Sequence, residues 1–400
     1  MDRRKLLFFG FVLAMFMFSF LYIKNKSLFV DEQVHYLQIK RFNEGDLRIY
    51  DIITVIPGYH YSLSVFSKIF NVSSEEGIRF FNSLIGLGSI FLFLLVAYKI
   101  QNISSFRKSL EYAFFPILFP FFFLIYTDVL SLFLVLLMIY FIFLDRYNLA
   151  GVVGIMSFFV RQNNVIWILF SLFLVYVKLN GYKYNFKNVL EVLEKCKIMV
   201  LGLVIGLIFF ILNKGFVLGD KEMHSGGFYL GNIFFILFLF FFLFLPLNLY
   251  NFFKIKEYLS RNRFMWIVIA GIFIIYMKFF NVAHPYNFLG MDYFLRNEIL
   301  QYFNDGNIIK SILFLPIAYS ILSLCVVKLL RKEFYLIYPF SILLLIPSLL
   351  IEQRYYLVPF SLFILFKKED NKWINRVSIG IYIILSIVLL YLIGKETLFL

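Results

Sequence analysis

Long apolar runs separated by short polar loops recur along the whole chain. They lie at 6–23, 78–98, 112–126, 129–144, 147–160, 164–177, 198–213, 231–250, 264–280, 309–327, 335–350, 355–366 and 377–394. No water-soluble core buries that much apolar surface. Composition agrees, with 62% hydrophobic and 16% charged residues, against roughly 45–50% and about 25% in soluble domains. The solvent for most of the chain is therefore lipid, where backbone polar groups must be satisfied internally. The runs are continuous rather than alternating, which argues for helices and against a barrel. The expected fold is all-α: one membrane-embedded domain over 1–400, polytopic, with about 13 transmembrane helices, several shorter than a full span.

Charge orients this layout. "MDRRK" followed by 6–23 reads as an uncleaved anchor that starts in the cytoplasm, because "FSFLYIKNK" offers no small-residue cleavage site. The cytoplasmic loops then hold 23 Lys/Arg and 9 Asp/Glu, and the opposite face 12 and 15. That asymmetry follows the positive-inside rule and accounts for the net charge of +14 without nucleic acid as a partner. The long loops 24–77, 214–230 and 281–308 face outward, as do the tight turns at "YTD", "RQNN" and "EQR". Within 24–77, Leu63, Phe66, Ile69 and Phe70 follow helical spacing ahead of "NVSSEEG", which predicts a short helix on the membrane surface. Asn71 begins an outward sequon, usable if the membrane is that of the endoplasmic reticulum. Two cysteines, Cys196 and Cys325, imply no disulfide framework.

The polar residues of the outer face carry the chemistry. Asp31 and Glu32 stand directly after the first apolar run, with His35 one helical turn beyond Asp31. They read either as a solvated helix end or as an acid–base site at headgroup depth, where a carboxylate takes a proton from a sugar hydroxyl. Arg161, in "FFVRQNNVIW", is either a hairpin tip in water or a phosphate ligand, since a guanidinium fork matches phosphate oxygens. Arg354, in "LLIEQRYYLVPF", poses the same choice, with Glu352 as a competing partner. Asp128 is a third polar tip, and His284 opens "HPYNFLGMDYF" with Asp292 eight residues on. No metal-ligand spacing, P-loop, dinucleotide fingerprint or nucleophile elbow is present, so neither a metal nor another cofactor is expected. With no long cytoplasmic loop, a substrate is expected from the outer face or from the bilayer, and a lipid-linked one fits. A transporter or flippase is the rival reading; it would more often show inverted repeats and mid-membrane helix breaks, and here the polar motifs cluster on one side.

Taken in order, these motifs resemble those of the dolichyl-phosphoglucose-dependent alpha-1,2-glucosyltransferases, polytopic enzymes of the glycosyltransferase-C class. "VDEQVHYLQ" is similar to the family's M-D-E-x-x-H-x-x-Q through Asp31, Glu32, His35 and Gln38. "IPGYHY" looks like P-P-G-L-Y, "IRFFN" like L-R-x-x-N through Arg79 and Asn82, and "LIYTD" like L-Y-Y-T-D, ending at Asp128. "VRQNNVIW" nearly reproduces F-R-Q-T-N-I-x-W through Arg161, Gln162, Asn164 and Trp167. "NKGFVLGD" resembles N-G-G-I-x-x-G-D, ending at Asp220, with His224 beyond it. H-P-Y stands at 284–286, and "EQRYYLVP" matches E-x-R-Y-x-x-x-P. The resemblance spans residues 20–360. It departs after H-P-Y, where L-L-A-D-N-R-H-Y-T-F-Y is replaced by "NFLGMDYFLRNEIL" and only an Asp and Arg296 correspond.

The resemblance implies an inverting transfer of glucose from dolichyl-phosphate-glucose to a lipid-linked oligosaccharide, with an alpha-1,2 bond formed in N-glycan precursor assembly. Asp31 is the implied base and Glu32 the second candidate. His35, Gln38, Asp128, Arg161, Gln162, Asn164, Asp220, His284 and Arg354 are the implied substrate-binding residues. The implied location is the endoplasmic reticulum membrane with a lumenal site, or the plasma membrane of a prokaryote. The altered 284–298 loop leaves open a related enzyme using another polyprenyl-phosphate sugar such as mannose.

Overall fold

Backbone groups in lipid have few ways to be satisfied, and the structure reflects this: among the described residues the chain is helical, with no strand and two isolated bridging pairs. A computed structural model describes residues 3–101, 105–224, 226–369 and 371–400. The loops expected at 99–111, 214–230 and 367–376 each contain residues outside those described. The chain forms two compact units, Met1–Glu222 and Met223–Leu400.

The first unit runs through α1 (Arg3–Ile23), α2 (Asp31–Asn43), α3 (Gly58–Phe70), α4 (Glu75–Ile100), α5 (Ser105–Ala113), α6 (Thr127–Phe143), α7 (Tyr147–Val160), α8 (Val165–Asn180), α9 (Phe186–Lys195) and α10 (Lys197–Asn213). Its centre is α4, α6, α7 and α10 packed in succession, with α2 against α3. The expected surface helix is α3, and it is inverted relative to a soluble helix. It buries Tyr59, His60, Leu63, Ser64 and Ser67 and exposes Tyr61, Val65, Phe66, Ile69 and Phe70. An outer face that is apolar but for Lys68, over an inner one carrying His60, Ser64 and Ser67, suits a helix lying against lipid. Asn71, in the left-handed region at φ 51°, ends α3, and Ser74 caps α4 by accepting from the Gly77 N–H at 3.2 Å. Gly58 lets α3 lie close to α7, where a Cβ would sit 2.4 Å from the Phe159 carbonyl oxygen.

The second unit comprises α11 (Gly231–Leu243), α12 (Leu245–Tyr250), α13 (Phe252–Arg261), α14 (Met265–Phe279), α15 (Leu295–Tyr302), α16 (Asn307–Val326), α17 (Ile337–Leu345), α18 (Leu357–Phe366) and α19 (Lys372–Gly394). Here α16 packs on α11, α13 and α14, and α12 on α19.

Among the described residues, four helical segments are long and apolar enough to cross a membrane: Glu75–Ile100, Gln162–Asn180, Asn307–Val326 and Lys372–Gly394. There are six if each of two bent pairs is one span: α9 with α10 at 87° and α13 with α14 at 107°. Leu7–Ile23, Thr127–Phe143, Tyr147–Val160 and Gly231–Leu243 are shorter apolar helices. The protein is thus a multi-pass membrane protein.

Sequence expectations differ from the structure where proline intervenes. The run 112–126 is expected as one helix, yet α5 stops at Ala113 and only a 3-10 turn, Phe119–Phe122, follows. Pro116 and Pro120 remove two donors and disfavour the α region before them. Phe114–Tyr126 are nevertheless buried, so this irregular stretch needs hydrogen-bond partners from elsewhere. The run 231–250 breaks into α11 and α12 at Phe244, with Pro246 in the first turn of α12. The run 335–350 ends at Leu345, short of Pro347. Both α9 and α13 are amphipathic helices in loops expected to be cytoplasmic.

Candidate active site

The acid pair opens α2. Val30 before it has φ 49° and ψ −115°, a conformation that β-branched residues avoid. Acids in a first turn suit the positive end of a helix dipole. The two carboxylates then separate completely in environment.

Glu32 is wholly buried and saturated. Its Oε1 accepts from Arg79 Nε at 3.1 Å and from the Ile125 N–H at 2.7 Å. Its Oε2 accepts from Arg79 Nη2 at 2.6 Å and the Phe29 N–H at 3.0 Å. Arg79, also wholly buried, donates further to the carbonyls of Ile23 (3.0 Å), Lys26 (2.7 Å) and Ser27 (2.8 Å). It thereby satisfies the chain leaving α1. One turn along α4, Asn82 Nδ2 donates to the carbonyls of Phe121, Phe122 and Leu124, at 3.0, 3.3 and 2.7 Å, and its Oδ1 accepts from the Tyr59 hydroxyl at 3.0 Å. The proline-broken stretch is therefore held by Glu32 and Asn82. Every acceptor site of Glu32 is occupied, so its chemistry is that of a clamp.

Asp31 is half-buried; its N–H donates to the Tyr126 hydroxyl at 3.2 Å. His35 lies on the same helix face, with ring centroids 5.6 Å from Tyr126, 6.2 Å from Tyr59 and 5.0 Å from His60. His35 Nδ1 and His60 Nε2 are 2.9 Å apart. Burial, and secondarily His35, hold the His60 imidazole well below the usual histidine range. Burial first, then the charges of Glu32 and Asp128, push the Tyr59 phenol well above its usual value, which places Asp128 near this cluster. Asp128, at the start of α6, is buried and pairs through Oδ1 with Arg161 Nη1. Among the described residues its Oδ2 accepts no hydrogen bond. The Arg161 side chain is 15% exposed and donates through Nη1 to Asp128, one of the five N–H donors of a guanidinium.

Three further expected ligands are engaged within the fold instead. Gln38 bridges the Arg48 carbonyl (3.1 Å) and the Tyr50 N–H (2.8 Å). Gln162 bridges the Thr54 carbonyl (2.8 Å) and the Ile56 N–H (3.2 Å). Asn164 ties Ser131 Oγ and the Ser157 carbonyl at 2.8 and 2.9 Å. Asp220, at φ 46°, docks through its N–H on the Asp51 carbonyl at 3.0 Å, beside Gly219 on Ile53 at 3.1 Å. A Cβ on Gly219 would lie 2.1 Å from the Asp51 carbonyl oxygen. These residues shape the 48–58 segment and tie α6 to the turn between α7 and α8.

In the second unit Glu352 is buried and pairs with Arg296. Arg354, half-buried, has Nε 3.4 Å from Glu352 Oε1, which accepts no hydrogen bond among the described residues. The turn carrying them is stitched by asparagines. Asn232 donates to the Ser348 and Leu350 carbonyls and accepts from the Glu352 N–H and the Tyr356 hydroxyl. Asn287 bridges the Ile351 carbonyl and N–H, and Asn297 accepts from Arg296 Nε at 2.9 Å. His284 is 1% exposed: its Nε2 faces the Met223 carbonyl at 2.8 Å and its Nδ1 accepts the Tyr286 N–H at 3.1 Å. The half-buried His224 lies against it at 5.6 Å between centroids.

Sequence reasoning missed Asn232, Asn287 and Asn297, and it saw His60 only as part of a motif. The signal available was polar residues inside otherwise apolar helices or beside prolines. Among the described residues no three His, Cys, Asp or Glu groups gather to hold a metal ion.

A protein from Homo sapiens described as a Dol-P-Glc:Glc(2)Man(9)GlcNAc(2)-PP-Dol alpha-1,2-glucosyltransferase is 25% identical over 332 residues, covering 69% of this chain and 70% of its own. Proteins of the same description from Candida albicans and Candida glabrata are 31% identical over 186 residues (43% and 41% covered) and 26% identical over 377 residues (82% and 69% covered). The crystal structure of ArnT from Cupriavidus metallidurans in the apo state aligns with a TM-score of 0.45 at 14% identity, over 98% of this chain and 76% of that one. The model of the DIE2/ALG10 family matches residues 25–183 and 175–365. By that match, across both clusters described above, the chain belongs to the DIE2/ALG10 family.

Proposed function

We propose that residues 1–400 work as one membrane-embedded glycosyltransferase of the glycosyltransferase-C type, with about 13 membrane helices counting short ones. It moves glucose from dolichyl-phosphate-glucose to a diglucosylated lipid-linked oligosaccharide and forms an alpha-1,2 bond. The observation that carries this is the division of labour in the acid pair, a saturated Glu32 beside a half-buried Asp31, within a chain of this family. The names of the relatives supply donor and acceptor. The endoplasmic reticulum membrane, with the site lumenal, is the proposed location.

In this reading Asp31 takes the proton of the acceptor hydroxyl as that oxygen attacks the anomeric carbon. The new carbon–oxygen bond forms as the bond to the donor phosphate breaks, and dolichyl phosphate leaves with the electron pair. A single displacement inverts the anomeric centre. Arg161, oriented by Asp128, meets the charge developing on the phosphate. In the second unit, Arg354 beside Glu352 is proposed to bind an anionic group of a substrate. His284, with both nitrogens engaged, positions His224 and its own loop.

The test is transfer by the purified protein in detergent, with dolichyl-phosphate-glucose and dolichyl-phosphate-mannose offered separately, a diglucosylated acceptor and EDTA. Glucose transfer alone is expected. Mannose transfer would assign the other donor through the divergent 284–298 loop. No transfer with either would overturn the reading.

A further inference from the structure

The inner face of α3 buries His60 completely against α2, and its one hydrogen-bonding contact is His35 Nδ1, 2.9 Å from Nε2. Among the described residues its other nitrogen, Nδ1, meets no partner. A neutral imidazole carries one N–H. Were that proton on Nδ1, a buried donor would be orphaned, and orphaned N–H groups are rarer than under-used acceptors. The proton therefore sits on Nε2 and is donated to His35 Nδ1. His35 must then carry its own proton on Nε2.

We infer that His60 is a positioning residue that locks His35 as a neutral imidazole with its Nε2–H as a donor. This rests on the proposed role of Asp31. Protonating His35 at Nδ1 would reverse the shared hydrogen bond and drive His60's proton onto its buried Nδ1. Tyr59 and Tyr126 face the pair, and the charged groups on the segments packed around it include Asp31 and Glu32 on α2, Arg79 on α4, and Asp128 with Arg161. Glu32 is compensated by Arg79 and Asp128 by Arg161; Asp31, one helical turn before His35 on the same face, favours a cation on His35. The lock opposes that pull. It keeps a positive charge from settling four residues after Asp31, where it would weaken the carboxylate as a base. It also leaves His35 unable to take the acceptor's proton, since one nitrogen accepts from His60 and the other is already protonated. His35 is left as a hydrogen-bond donor at the site, and the proton goes to Asp31.

The test is ring-15N NMR of histidine-labelled full-length protein in detergent, with His35→Gln for assignment. His35 is expected as the Nε2–H tautomer, and it stays neutral from about pH 8 to about pH 6, where an ordinary imidazole gains charge. In His60→Leu it titrates near the ordinary value of about 6.5, and in His60→Gln, whose amide restores a donor, it stays neutral again. The transfer rate of His60→Leu falls about three- to tenfold more than wild type's between about pH 7.5 and 6, with KM unchanged, and the Gln variant restores the wild-type profile. An Nδ1–H tautomer in the wild type, or one titration shared by wild type and His60→Leu, overturns the lock whatever the transfer assay shows. Absent transfer in the wild type with the tautomer as stated would overturn the proposed reaction and leave the lock standing.

Discussion

Each unit buries a glutamate on an arginine and uses asparagines to hold an irregular turn, yet the two clamps are finished differently. Glu32 has four hydrogen bonds over both oxygens, two of them from Arg79. Glu352 pairs with Arg296 through Oε2, while Oε1 lies 3.4 Å from the half-buried Arg354 and accepts no hydrogen bond among the described residues. A saturated clamp has only structure to lose. An incompletely bonded one keeps capacity for a ligand, at the cost of a less satisfied turn. Asp128, with Oδ2 unused, belongs with the second kind.

The comparison breaks most visibly at Glu32. Glu32→Gln leaves Arg79 buried without its counter-ion, which costs about 3–5 kcal/mol. The expected outcome is a large loss of monodisperse protein and of the unfolding midpoint in detergent, with any surviving protein still able to transfer sugar. Arg296→Gln is expected to behave alike, whereas Arg354→Gln costs at most about 1 kcal/mol and lowers transfer. Equal destabilisation by both arginine variants would erase the distinction between the clamps.

Next in size is Arg161→Gln, expected to lower kcat about 100-fold with a smaller change in KM, as loss of a donor to developing charge does. Asn82→Ala strips one side chain from three buried carbonyls and should cost about 1–3 kcal/mol, read as a lowered midpoint.

The smallest effect is pH-dependent. His60 is neutral when folded and ionises near the ordinary value when unfolded. Its stabilising share is full above about pH 6.5, and it is lost as pH falls from there toward the depressed folded value, because the unfolded chain binds the proton first. Unfolding midpoints measured from about pH 7.5 to 5 should fall less for His60→Leu than for wild type.

How far the sequence is legible differs between backbone and site. The apolar runs announce helices, and Ser74 with Glu75 and Glu76 announces the start of α4. The collapse of 112–126 is equally written, in Pro116 and Pro120, but a run of phenylalanines masks it because hydropathy cannot distinguish a buried irregular stretch from a span. At the site, adjacent acids look equivalent in one dimension. Only the fold shows that α4 delivers Arg79 to Glu32, 47 positions away, and leaves Asp31 half-buried. The divergent 284–298 loop reads in sequence as a change of substrate, yet it supplies Arg296 and Asn297, the partners of Glu352 and Asn287. Such pairings depend on which helices become neighbours, and local patterns do not encode that.

In the proposed mechanism Asp31 reacts while Glu32 holds. The direct measurement is the glucose-transfer rate of purified Asp31→Asn, with its unfolding midpoint taken on the same preparation. The expected result is a loss of about 100- to 10,000-fold at an unchanged midpoint. Near-normal transfer by that variant would contradict it.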